Sequence, residues 1–92
     1  MTDPLAALRE KFRARSRDDL MRLKDLVQGD LLAQDLRHLV HGLAGAAGTF
    51  GFPALSAAAA SIDDDYAAGR TPGRQAFDVL QQQLEAITGP SS

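Results

Sequence analysis

The chain predicts an all-α protein, an antiparallel up-and-down four-helix bundle with a long N-terminal helix. Three observations carry that expectation. Alanine and leucine dominate an apolar fraction of 45%, aromatics are only 5% and β-branched residues are scarce, a balance that favours helices over strands. Apolar residues recur at three-and-four spacing in four separate stretches, the mark of amphipathic helices. Short breaks at Gly29, at Gly51-Phe52-Pro53 and from Gly69 to Gly73 divide them. Helices joined by loops this short pack as antiparallel neighbours.

The first helix is expected over about residues 4–28, with Asp3 as N-cap and Pro4 at the first helical position,. Its stripe is Leu5, Leu8, Phe12, Leu20, Leu23 and Val27. The polar patch Arg15-Ser16-Arg17-Asp18-Asp19 lies inside it, and Ser16 is a candidate cap for a second segment. The stripe resumes beyond the patch, so one long helix, kinked at most, is expected to overhang the others at one end. Asp30 is expected to cap a second helix over about 31–50, with Leu32, Leu36, Leu39, Leu43, Ala46 or Ala47, and Phe50 inward.

Pro53 opens a third helix, about 53–68, burying Leu55, Ala58, Ala59, Ile62 and Tyr66. A fourth, about 72–88, is expected to start at Pro72 behind a Thr71 cap and to bury Phe77, Leu80, Leu84 and Ile87,. The tail Gly89-Pro90-Ser91-Ser92 is expected to fray,. Residues 1–92 are thus expected to form a single domain, large enough for one modest core,.

Composition excludes several function classes. With no cysteine, disulfides and thiolate metal sites are ruled out. No apolar run approaches the roughly 20 residues needed to cross a bilayer, and the start Met1-Thr2-Asp3-Pro4 lacks the basic and apolar parts of a signal peptide,. A cytoplasmic protein is expected. The net charge of −2 conceals an asymmetry: residues 1–28 hold seven basic and five acidic side chains, the remainder three and seven. The arginines of the first helix alternate with acidic and apolar residues, which describes a solvated face rather than a nucleic-acid patch.

The run His41-Gly42-Leu43-Ala44-Gly45-Ala46-Ala47-Gly48 is the most informative part of the chain. It keeps helical spacing while carrying glycine at every third position. Each helical glycine costs about 1 kcal/mol relative to alanine, so three together are a large handicap for a small domain. Leu39 and Leu43 each lie about 200° from His41 around the helix, so His41 faces water when they face the core. Gln34, Arg37, His38, Ala44, Gly45 and Gly48 share its face. Gly45 and Gly48 are read as clearance for a partner surface, Gly42 and Ala46 as helix-packing positions. An exposed, largely neutral imidazole among small residues suits a nucleophile served by another protein's catalytic groups.

These residues resemble the signature of the histidine-containing phosphotransfer (HPt) domains of two-component phosphorelays. The matching positions are His41, Leu43, Gly45, Ala46, Ala47, Phe50 and Gly51, then Leu55 and Asp63 on the next helix. The resemblance implies a four-helix bundle in which His41 is the phosphoryl acceptor. It implies a receiver domain of a response regulator, or a hybrid histidine kinase, as partner. Gln34, Arg37, His38, Ala44, Gly45 and Gly48 would then form the docking face. The receiver would bring Mg²⁺ and most of the charge stabilisation; the chain is expected to need no cofactor of its own, to act as carrier rather than enzyme, and to be a monomer. The family's lysine three residues after the histidine is Ala44 here, which removes a charge-assisted contact. Arg37 is the candidate replacement, with Arg70 and Arg74 behind it.

Plainer readings apply to the remaining features. His38 is expected to be a surface histidine, since two imidazoles at i and i+3 supply only two metal ligands and no metal site is expected. Asp63, Asp64 and Asp65 point in three directions from a helix and are read as a solvated acidic face. A degenerate HPt-like module that docks a receiver or kinase without being phosphorylated is the main alternative function. A dimerisation module using the glycine face ranks third. An enzyme ranks last, no second catalytic group being expected beside His41.

Overall fold

The computed structural model describes residues 3–89 and contains four helices in the order α1 (Pro4–Leu26), α2 (Gln34–Thr49), α3 (Pro53–Ala67) and α4 (Arg74–Thr88). No strand occurs among the described residues. Of the tail expected to fray, Pro90, Ser91 and Ser92 lie outside the described residues. Each helix packs on its neighbours in chain order and α4 closes back on α1, while the diagonal pairs lie farther apart among the described residues. That is the up-and-down bundle the apolar stripes require. None of the described helices is long and apolar enough to cross a membrane.

The core is built from Phe12 and Leu23 of α1, Leu36, Leu39, Val40, Leu43 and Ala47 of α2, Leu55, Ala59, Ile62 and Tyr66 of α3, and Phe77, Leu80 and Leu84 of α4. Val40 joins it beyond the expected stripe. Phe12 stacks on Phe52 and leans on Phe50, with ring centroids 5.4 and 5.5 Å apart. This contact fixes the middle of α1 against the α2–α3 turn, so the turns before Phe12 run past the bundle. Leu5 and Leu8, expected in the core, are therefore exposed.

Local chemistry sets the helix ends. Asp3 Oδ1 accepts the Leu5 amide at 2.9 Å, as expected of an N-cap. That bond and the Arg9 guanidinium beside it hold the Asp3 carboxyl below its ordinary range. Ser16 does not cap a second segment. It is fully buried, its hydroxyl donates to the Phe12 carbonyl at 2.7 Å, and α1 continues through it, a back-bond that satisfies the polar atom inside the helix.

The start of α2 differs from expectation. Asp30 caps a turn, not a helix: its side chain accepts the Leu32 amide at 2.9 Å and its carbonyl accepts the Ala33 amide at 3.0 Å. The Tyr66 hydroxyl donates to the Leu31 carbonyl at 2.6 Å, which draws this segment across to α3. Ala33 is left extended (ψ 139°), α2 begins at Gln34, and Leu32 is exposed rather than inward. At α4, Pro72 is buried in the loop instead of opening the helix, and Gly73 holds the N-cap position in place of Thr71.

Gly51 and Gly69 end α2 and α3 with φ of 85° and 77°. The next amides, Phe52 and Arg70, reach back to the Ala47 and Asp65 carbonyls, each at 2.8 Å, the Schellman closure that a glycine permits. A Cβ at Gly51 would be strained by that left-handed backbone, whereas one at Gly45 meets nothing within 4 Å. Gly51→Ala should therefore destabilise the fold by about 1–2 kcal/mol, and Gly45→Ala should stabilise it by up to about 1 kcal/mol, both measured by urea unfolding.

Asp19 is the buried polar exception. Its side chain is 13% exposed, and Arg15 Nε lies 3.6 Å from an Oδ2 that has no hydrogen-bond partner. Burial raises its pKa above the ordinary 3.8. The native state therefore binds the proton more tightly than the unfolded chain, and stability falls as pH rises from the ordinary value through the raised one. Asp19→Asn should raise the melting midpoint at pH 7 by a few degrees, and the gain should shrink on acidifying below the ordinary carboxylate range. Thermal melts across pH check both halves of this expectation.

Candidate functional site

Antiparallel packing of α2 on α3 builds the site. Leu36, Leu39, Val40 and Leu43 turn inward, which leaves Gln34, Arg37, His38, His41 and Gly45 exposed on the outer face of α2. His41 stands out from the surface with 78% of its side chain exposed. On α3, Ile62 and Tyr66 are buried, so Asp63 falls on the edge facing α2. An open depression lies between the two helices, walled by Gln34, Arg37, His38, His41 and Gly42 on one side and by Asp63, Tyr66 and Ala67 on the other.

His41 Nδ1 and Asp63 Oδ2 are 3.0 Å apart. A carboxylate only accepts, so Nδ1 is the donor, and in the neutral ring the lone pair then lies on Nε2. The hydrogen bond thus selects one tautomer and fixes the ring's orientation. Nε2, the nitrogen that can attack, has no hydrogen-bond partner among the described residues.

Three further contacts surround this pair. The Gln34 amide Nε2 donates to His38 Nε2 at 3.2 Å. The Arg37 guanidinium lies over the Tyr66 ring, 5.1 Å from its centroid. The Tyr66 hydroxyl pKa is raised, first by burial of the side chain. Among the described residues no group of three or more His, Asp or Glu side chains is arranged to hold a metal ion.

The site is thus an exposed imidazole, oriented from behind by a carboxylate on the next helix of a four-helix bundle. The model of the Hpt domain family covers residues 7–89. The chain belongs to the Hpt domain family. Members of this family are phosphocarrier modules that interact with receiver domains and kinases in phosphorelays. Searches of curated proteins and of solved structures returned no match.

Several expectations for this Hpt domain need correcting. Gly42 is not a packing glycine: it is exposed, lines the depression beside His41, and a Cβ there would meet nothing within 4 Å. Gly48 is the packing position, because its Cβ would come within 3.2 Å of Ser56 Oγ. That hydroxyl is held there by donating to the Ala44 carbonyl at 2.8 Å. Ala44 is half-buried against the core and does not line the depression. Gly45 keeps its open surroundings one turn beyond His41.

The three consecutive aspartates do diverge, with Asp64 exposed and Asp65 paired to Arg70 at 3.0 Å. Asp63, however, belongs to the site rather than to a solvated face. A second functional group therefore does converge on His41. Arg70 is engaged by Asp65, and Arg74 Nη1 donates to the Val27 carbonyl at 3.3 Å. Neither lines the depression, which leaves Arg37 as the one arginine or lysine there among the described residues.

The ¹⁵N shifts of His41 should show a protonated Nδ1 and a bare Nε2 at pH 8. Asp63→Ala should move the ring to a mixture of tautomers while leaving His38 unchanged. A spectrum of the variant identical to the parent's would mean that Asp63 does not orient the ring.

Proposed function

We propose that the chain is a phosphorelay intermediate carrying a phosphoryl group on His41. It would accept the group from a receiver-domain aspartate or a hybrid histidine kinase and deliver it to a response regulator. The observation behind this proposal is the oriented imidazole: Asp63 occupies Nδ1, and Nε2 faces open solvent. In the transfer step the Nε2 lone pair attacks phosphorus in line with the scissile P–O bond. An N–P bond forms, the P–O bond breaks, and the aspartate leaves as carboxylate. The Nδ1 proton stays in place, and Asp63 offsets the positive charge that develops on the ring.

The remaining machinery belongs to the partner, which would hold Mg²⁺ at its own acyl phosphate. The chain would act as carrier, with no cofactor of its own, as a monomer in the cytoplasm. Gln34, Arg37, His38 and Gly45 would form the docking face, continued by the exposed Gly48 and the half-buried Ala44. The open space at Gly42 and Gly45 supports close approach on both sides of the imidazole.

Incubation with a phosphorylated receiver should label the protein with an acid-labile, alkali-stable phosphoryl group. His41→Gln should abolish the label and His38→Gln should retain it. The absence of a fixed cation at Ala44 favours one competing function, a docking module that is never phosphorylated. Tight receiver binding by His41→Ala, with no label on the parent protein from any donor, would establish that alternative.

A further inference from the structure

Arg37 is exposed, yet its guanidinium lies against Tyr66 rather than on a carboxylate. Among the described residues it forms no ion pair, whereas Arg9, Arg13, Arg15 and Arg70 each do. Its platform is rigid: Tyr66 is 7% exposed, and its hydroxyl is tied to the Leu31 carbonyl. A guanidinium lying over an aromatic face keeps its N–H edge free for planar recognition of an oxyanion.

The position of this cation is as informative as its pairing. Arg37 precedes His41 by four residues on α2, so the two are neighbours on one helix face. Tyr66 follows Asp63 by three on α3. Arg37–Tyr66 and His41–Asp63 are therefore adjacent rungs across the same groove, one holding a cation and the other a nucleophile. Among the described residues, no other arginine or lysine lines the depression they share.

We propose that Arg37, held on Tyr66, is the positioning residue that recognises the phosphoryl group on His41. Its N–H edge engages the phosphoryl oxygens once they are attached to Nε2. The proposal rests on the carrier function above and adds to it the group that reads the cargo. Arg37 does this from within the chain, so its effect is present before any partner docks.

The test uses the isolated protein loaded with potassium phosphoramidate. The Nε2 lone pair attacks phosphorus, the donor's P–N bond breaks, ammonia leaves, and the Nδ1 proton stays on the ring. The ³¹P shift of the loaded protein is then followed against pH. A guanidinium at the phosphoryl oxygens favours the dianion, so Arg37→Ala should raise the second ionisation midpoint by about half a pH unit. Arg37→Lys, which keeps the charge without the planar edge, should raise it less. Circular dichroism confirms that both variants fold.

A midpoint in Arg37→Ala equal to the parent's overturns the proposal. So does a variant that loses transfer to a receiver with its midpoint unmoved, since Arg37 would then contact the partner instead. If the parent takes no phosphoryl group on His41 from phosphoramidate or from any receiver, the carrier function fails and this inference with it.

Discussion

The register of α2 against α3 is the constraint on which the rest of the structure depends. Three contacts record it: Ser56 to the Ala44 carbonyl, Asp63 to His41, and Tyr66 beneath Arg37. As residue numbers rise along α3, their partners fall along α2, as an antiparallel pair demands. A slip of one helical turn would break all three together. The Gly51 reversal and the close approach of Gly48 to Ser56 fit the same register. The site is therefore a by-product of how two helices close on each other, and its precision is that of a packed core.

Inside and outside are assigned different work along α2. Leu36, Leu39, Val40 and Leu43 hold the helix in the bundle, which fixes where the outer face points. His41 needs no burial to be directed, because a rigid helix and one hydrogen bond from behind suffice. The polar groups nearby are arranged in the same economical way. Gln34 supports His38, Tyr66 supports Arg37, and each supporting side chain comes from a helix that the core already immobilises.

Much of this was legible in the chain. The four helices and most of the core follow from apolar spacing, and the exposure of His41 follows from Leu39 and Leu43. What spacing could not show were contacts between helices. Asp63 matched a motif position, yet on its own helix it looked like one of three solvated carboxylates, and only the register against α2 separates it from Asp64 and Asp65. Gly42 and Gly48 exchanged roles for the same reason, because Ser56 lies on α3. Asp30 carried a correct local signal, a side chain that caps a turn. The helix starts later because Tyr66, distant in sequence, takes the Leu31 carbonyl. Leu5 and Leu8 continue the apolar stripe beyond the end of the bundle, where the described residues leave them exposed.

The Asp63 carboxylate has a consequence for time as well as for orientation. Among the described residues it is the one carboxylate that lines the depression, and its contact is with Nδ1, on the side of the ring away from the attacking nitrogen. Engaged there, it is not free to take a proton from water and direct that water at phosphorus. A phosphoryl group on Nε2 would thus be open to a docking partner while this carboxylate does not hasten its loss to solvent. The same hydrogen bond that readies the nucleophile would let the loaded state outlast the interval between one encounter and the next.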